Sequence, residues 1–370
     1  MKVGVLTSSR ADFGIYLPLL SKLKIDPFFE LEIIAFGTHL SKFHGFTITE
    51  IENEGFSKIH RISNLISNDD EQSIATSYAI TTLKFADFWL NNKFDLVFCL
   101  GDRFEMSAAV QAAIPFGVGF AHLHGGETTL GSIDNIYRHQ ISLASQLHFT
   151  STKVFSEKVI GIIGSDNNVF NVGALSLDGI EFYKPISKSR FYEKYKLPNQ
   201  DFALITFHPE TVNSSMNVLF AQEMRLALSY LSSKLYLVIT MPNADTLGSF
   251  FRKEIEQLKK DYSEKVLIIE NFGKENYFSA MYYSKILIGN TSSGIIEAAS
   301  FGKYVVNVGE RQKGRLQSNN VINSPFKRQE IIEAVDRALG FENYNGINIY
   351  HKKNSSNLII KHVKQINEVV

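Results

Sequence analysis

Cysteine is nearly missing from the chain. One residue in 370 excludes an internal disulfide and any cysteine-built metal centre. That residue, Cys99, lies inside the apolar run FDLVFCL, so an inert core thiol is expected. An excess of one charge is missing too, because 38 Lys+Arg balance 38 Asp+Glu. A nucleic-acid or membrane-surface protein would show a basic excess, so neither partner is expected. No apolar run reaches the roughly 20 residues that span a bilayer. The opening MKVGVLTSSR lacks the apolar stretch of a signal peptide, so a cytoplasmic protein is expected. Internal repeats and low-complexity tracts are absent. The GxGxxG turn of dinucleotide-binding domains is absent as well. No familiar metal-ligand spacing occurs, so no metal and no cofactor are expected.

What is present is a long run of short apolar stretches alternating with amphipathic ones. The length of 370 residues exceeds one usual domain of roughly 100–200 residues, so two are expected. MKVGVLT, LEIIAFG, KIHRIS, FDLVFCL, GVGFAHL, QLHFTS and VFNVG read as strands. Helices are expected between them, including one over LSKFHGFTITEIENEG and a long one over 71–91. Periodicity weakens near 174–190 and then restarts with DFALITF, KLYLVITM, KVLIIENF, KILIGN and YVVNVG. Strands separated by helices imply parallel sheets with right-handed crossovers. The expected fold is α/β, two Rossmann-like doubly wound domains facing across a ligand-holding cleft. The expected domains are 1–175 and 190–350. A terminal helix within 351–370 is expected to pack back on the first.

The polar motifs concentrate at the ends of these strands, where open α/β sheets bind ligands. SSRADFG (8–14) joins the first strand to the first helix, and Arg10 beside helix N–H groups suits an anion. GDRFE (101–105) places Asp102 where a helix N-cap would sit, with Arg103 next to it. HLHGGE (122–127) is the most informative. His122 and His124, two apart, would face one way along a strand. They admit metal ligation with Asp102, acid/base work together with Glu127, or a structural hydrogen-bonded pair. IDNIYRH starts a helix with Asp134, then Arg138 and His139. TFHPET presents His208 at another strand end. In GNTSSGIIE, Thr291, Ser292 and Ser293 offer hydroxyls and N–H groups at a helix start, Gly294 allows close approach, and a helix dipole there favours phosphate. Glu297 follows one turn in, and its two oxygens suit a ribose diol. ERQKGR adds Arg311, Lys313 and Arg315, and PNAD adds Asn243.

SRADFG, LGDRFE, HLHGGETT with ID and RH, FHPET, NAD, GNTSSGIIE and ERQKGR occur in this order over residues 1–320. The set resembles the hydrolysing UDP-N-acetylglucosamine 2-epimerases of sialic-acid biosynthesis. Their wider family includes non-hydrolysing bacterial 2-epimerases and shares the architecture of GT-B glycosyltransferases. The resemblance implies a UDP-sugar substrate, elimination of UDP to an unsaturated sugar, and hydration with inversion at carbon 2. It implies chemistry by Asp102 and Asp134. UDP contacts are implied for Arg10, Arg103, His208, Asn243, Thr291, Ser292, Glu297 and Arg311, and assembly as a homodimer or homotetramer. Many members read HxEGGE with a catalytic first glutamate, whereas this chain reads HLHGGE, as a subset of bacterial relatives does. His124 or Glu127 is expected to take over that role. Some relatives act on UDP- or GDP-linked diacetylbacillosamine, and the motifs do not separate the two sugars.

Overall fold

The computed structural model describes the chain except residues 43–44, 67, 69, 211, 213, 243–247 and 368–370. It divides into two compact units. The first comprises Met1–Glu127, Ile133–Gly179 and Tyr350–Val370. The second comprises Thr128–Ser132 and Ile180–Ile349.

The first unit contains strands β1 (Lys2–Thr7), β2 (Glu30–Phe36), β3 (Ile59–Ile62), β4 (Leu96–Leu100), β5 (Phe120–Leu123), β6 (Leu147–Thr150) and β7 (Val169–Asn171). Its helices are α1 (Arg10–Ile25), α2 (Ile48–Asn53), α3 (Glu71–Asn91), α4 (Phe104–Ala113), α5 (Asp134–Ala144) and α6 (Lys153–Ile163). The seven strands form a parallel sheet in the order β3-β2-β1-β4-β5-β6-β7. Successive side chains leave a strand on opposite faces. Val3, Val5, Leu96 and Phe98 therefore pack with Leu19, Leu20 and Leu23 of α1 on one face. Leu6, Val97 and Cys99 pack with Phe85, Trp89 and Met106 on the other. Burial on both faces explains why these strands are apolar throughout. It also pushes the Cys99 thiol up to about 12.

The second unit runs α7 (Lys188–Tyr195), β8 (Phe202–Thr206), α8 (Asn217–Leu231), β9 (Tyr236–Thr240), α9 (Gly248–Asp261), β10 (Val266–Ile269), α10 (Lys274–Tyr283), β11 (Ile286–Gly289), α11 (Ser292–Ile296), β12 (Val305–Val308), β13 (Val321–Ser324) and α12 (Arg328–Leu339). Its parallel sheet has the order β10-β9-β8-β11-β12-β13. Ala203, Ile205, Leu237 and Ile239 face α8, α9 and α12. Phe202, Leu204 and Val238 face the opposite way, toward Phe191 of α7 and Met281 of α10.

The chain then returns to the first unit through α13 (Ser355–Asn367). Ile359 and Val363 of this helix join the α1 core, and Lys364 pairs with Asp26 at 2.6 Å.

Three elements differ from expectation. LSKFHGFTITEIENEG is not one helix. A 3-10 turn, Gly37–Leu40, and the six-residue α2 stand there among the described residues. Gly45 and Phe46 between them have φ of 88° and 49°, which a right-handed helix cannot contain. β13 was not foreseen, because VINS is short and its polar residues hide the apolar alternation of a strand. α7 forms inside the aperiodic connection and is capped by Lys196 in the left-handed conformation.

Candidate active site

Three neighbouring strands of the first unit end on one sheet edge and supply the main polar groups. Asp102 follows β4, His124 follows β5, and Ser151 follows β6. Asp102 does not cap α4. Arg103 occupies the cap position without a side-chain capping bond, and the Asp102 carboxylate accepts from Arg138 Nη2. Arg138, on α5, is 1% exposed. Its Nη1 also donates to the Glu127 carbonyl at 2.6 Å. One buried guanidinium thus ties the β4 end to the β5 loop. Arg103 turns instead to the buried carboxylate of Glu105, donating from Nε at 3.2 Å and Nη2 at 3.0 Å. Asp134 opens α5, one turn before Arg138.

The two histidines of HLHGGE have separate fates. His122 lies in the sheet, with Nδ1 3.0 Å from Ser142 Oγ and Nε2 2.9 Å from the Gly101 carbonyl. Burial drives its pKa down to about 3, against a smaller upward pull from the Gly101 hydrogen bond. It is a neutral support for the Gly101 turn, and with both nitrogens engaged it is no metal ligand.

His124 does not share its face. Its backbone N–H still donates to Phe149 of β6 at 2.9 Å, but its φ is 63°. A non-glycine residue pays roughly 1–2 kcal/mol there. Gly126 follows at φ 76°, so close to α6 that a Cβ would lie 2.2 Å from the Phe155 carbonyl. These two left-handed residues fold the chain back, and Glu127 Oε1 comes to 2.7 Å from His124 Nδ1. Ser151 Oγ donates to the same oxygen at 2.9 Å. His124 Nε2 is buried and has no hydrogen-bond partner among the described residues. Lys158 and His139 feel the Arg138 charge, and both are held below their usual values by burial first and then by that charge.

The SSRADFG motif is less open than expected. Asp12 closes a capping box with Ser9 and accepts from the Ser8 and Ser9 amides at 2.9 and 3.2 Å. Those amides are therefore already used. Arg10 is the motif's anion-seeking group, and it pairs with exposed Glu50 at 3.3 Å.

In the second unit the motifs again follow adjacent strands: His208 after β8, Asn290 to Gly294 after β11, Arg311 after β12. Asn290 is fully buried. Its side chain accepts from the His208 N–H at 2.7 Å and donates to the His208 carbonyl at 2.8 Å. Its own carbonyl accepts from Arg311 Nη1 at 3.2 Å and Gln312 Nε2 at 2.9 Å. Gly289 makes the approach possible, since a Cβ there would lie 1.9 Å from the Thr206 carbonyl. Thr291 caps α11 through the Ser293 N–H. Ser292, Ser293 and Gly294 form its first turn, and Glu297 ends it, buried. The helix has only five residues, so exposed N–H groups, not a long dipole, are what it offers an anion. Tyr277, beside Ser293, is pushed up to about 12 by burial. Asn243 lies outside the described residues. Thr128–Ser132 belongs to this unit, with the Leu130 N–H donating to the Lys313 carbonyl at 2.8 Å.

Arg138 stands in the IDNIYRH motif with no role legible from its neighbours, and no motif points to Ser151 or Gln312. Nothing in the local pattern separates a buried guanidinium from a solvated one. Among the described residues no three His, Cys, Asp or Glu side chains gather as a metal site. No described helix is long and apolar enough to cross a membrane.

A family model for UDP-N-acetylglucosamine 2-epimerase matches residues 21–364. The UDP-N,N'-diacetylbacillosamine 2-epimerase (hydrolyzing) of Legionella pneumophila is 34% identical over 91% of this chain and 89% of its own length. Polysialic acid biosynthesis protein P7 of Escherichia coli is 32% identical over 90% and 85%. The crystal structure of UDP-GlcNAc 2-epimerase from Neisseria meningitidis bound to UDP-GlcNAc superposes with a TM-score of 0.83. It is 18% identical and covers 99% of this chain and 100% of that one, a likeness in fold, two parallel-sheet α/β domains of GT-B-like type.

Proposed function

Since the chain belongs to the UDP-N-acetylglucosamine 2-epimerase family, we propose that it is a hydrolysing 2-epimerase. UDP-N-acetylglucosamine and water would give N-acetylmannosamine and UDP, feeding sialic-acid-type sugars. The observation that carries this reading is the network in which Arg138 joins Asp102 to the loop holding His124 and Glu127. The chemistry needs such a network. A base takes the weakly acidic carbon-2 proton, the C–H electron pair becomes the carbon-1–carbon-2 double bond, and the carbon-1–oxygen bond breaks with its pair going to UDP. Water then adds hydroxyl at carbon 1, and an acid returns a proton to the other face of carbon 2. Two faces require more than one titratable group. Asp102, His124, Glu127 and Asp134 form the catalytic set, by exchanging protons with the sugar or by orienting a group that does. Removing so weak an acid's proton demands close positioning and exclusion of water.

Arg10, Arg103, His208, Asn243, Thr291, Ser292, Ser293, Gly294 and Arg311 contact the nucleotide diphosphate, whose developing charge their cations and N–H groups stabilise. Glu297 accepts from the ribose hydroxyls. The enzyme works in the cytoplasm as a homodimer or homotetramer, which light scattering after gel filtration checks.

Proton NMR of an incubation in heavy water tests the reaction. N-acetylmannosamine with deuterium at carbon 2, together with UDP, is expected. Slow hydrolysis with carbon 2 retained would instead mark a glycosyltransferase, and UDP binding without turnover a silent binding protein. The Legionella relative favours one second reading: UDP- or GDP-linked diacetylbacillosamine as the substrate. Parallel incubations compared by kcat/KM separate the two sugars.

A further inference from the structure

We propose that Glu127 and Ser151 are positioning residues that fix His124 with its proton on Nδ1, so that Nε2 is the atom that takes the carbon-2 proton. The proposal rests on the epimerase reading and assigns the division of labour within it. Glu127 Oε1 receives both the His124 ring at 2.7 Å and the Ser151 hydroxyl at 2.9 Å. A carboxylate has no proton to give, so the hydrogen in the first contact sits on Nδ1. The neutral ring then carries its lone pair at Nε2. That atom is buried and has no hydrogen-bond partner among the described residues, so a proton placed there would lack an acceptor.

The other candidates are committed elsewhere. Both nitrogens of His122 are engaged by Ser142 and Gly101, and Asp102 accepts from Arg138. The arrangement is also held in place from behind. Arg138 Nη1 grips the Glu127 carbonyl at 2.6 Å, and the left-handed His124 and Gly126 turn the loop back toward the ring. On this assignment the carbon-2 C–H bond breaks toward Nε2 and its electron pair forms the double bond as UDP departs. The imidazolium that results faces the Glu127 carboxylate, which stabilises it without exchanging a proton with the sugar.

The test labels the full chain with 15N-histidine and reads the ring protons by long-range proton–nitrogen correlation, assigning His124 by its loss in His124→Gln. The expected spectrum shows a protonated Nδ1 and a bare Nε2. In Glu127→Gln that preference is lost and kcat falls on the order of 100-fold or more with KM little changed. Ser151→Ala lowers kcat less, in the same direction. His124→Ala regains turnover when imidazole is added. A proton on Nε2 in the wild type overturns the proposal, even if no variant folds. So does wild-type kcat in folded Glu127→Gln. If the wild type epimerises neither nucleotide sugar, the functional reading falls and takes the catalytic assignment with it. If it epimerises but Glu127→Gln matches it, only the assignment falls.

Discussion

At the strand ends of the first unit the ordering contacts join charged or titratable groups: Arg138 with Asp102, His124 with Glu127, Arg103 with Glu105. At those of the second, uncharged amides also bridge backbone groups, as Asn290 grips His208, Asn217 grips Glu210 and Gln312 reaches Asn290, beside the Arg311 guanidinium on the Asn290 carbonyl and the Glu210 carboxylate on the Glu310 N–H. Both units use the same topology to bring loops to one edge. Proton transfer needs groups whose charge state is set by neighbours, and these must be paired when buried. On the proposed reading the second unit has to hold its anion-facing loops in shape, which an amide bridging two backbone groups does at any pH between its chemical limits. The cost of the first arrangement is sensitivity to pH and to loss of a partner.

Four experiments would break or sharpen this contrast. Arg138→Met should have the largest effect, since it strands the Asp102 carboxylate and the Glu127 carbonyl together. A loss of about 3–5 kcal/mol is expected, read by urea unfolding through the fluorescence of Trp89, the single tryptophan, buried in the first unit. A change below about 1 kcal/mol would remove Arg138 from the centre of the account.

Acid should act next. Burial holds His122 at about 3 and His148 at about 4, below their ordinary 6.5. The unfolded chain takes up protons below 6.5 while the folded one does not, so their contribution is complete above 6.5 and declines as pH falls toward 3–4. Glu32 is lowered from 4.5 to about 2. Burial opposes its ionisation, but His60, Lys58 and Lys2 outweigh it, so its contribution is present above 4.5 and is lost on the way to 2. All three lie in the first unit, so Trp89 should report loss of structure before hydrogen exchange in β8–β12 rises. Simultaneous loss would contradict the contrast.

Asn290→Ala should cost roughly 1–3 kcal/mol by leaving the His208 N–H and carbonyl unsatisfied. It should weaken UDP binding by calorimetry, equally at pH 6 and pH 8. A pH-dependent loss would show that charge matters there too. For stability, Thr291→Ala removes the cap of α11 and should cost about 1 kcal/mol or less by urea midpoint.

Much of this was readable in the chain. Twelve of the thirteen strands among the described residues coincide with apolar runs, because both faces of each sheet are covered. The polar residues that follow strands of one unit come to one edge because parallel strands end there. The exceptions have physical causes. VINS is too short and polar to signal a strand, and Phe46 and His124 adopt left-handed backbone that periodicity cannot report. The SSRADFG turn reads as helix N–H groups open to an anion, but its Ser8 and Ser9 amides are taken by Asp12 four and three residues on.

The sequence by itself determined the two α/β domains, the strand-end motifs and the family they identify, because hydrophobic periodicity and motif order are local properties. Only the tertiary structure decided what each motif's atoms do. Arg138 is 36 residues from Asp102, and Ser151 is 24 from Glu127, so these pairings exist only once β4, β5 and β6 lie side by side. His122 and His124 look equivalent in HLHGGE. One backbone angle at His124 turns its ring away from the strand's alternation and onto Glu127, leaving Nε2 without a partner among the described residues, while His122 spends both nitrogens holding the sheet edge.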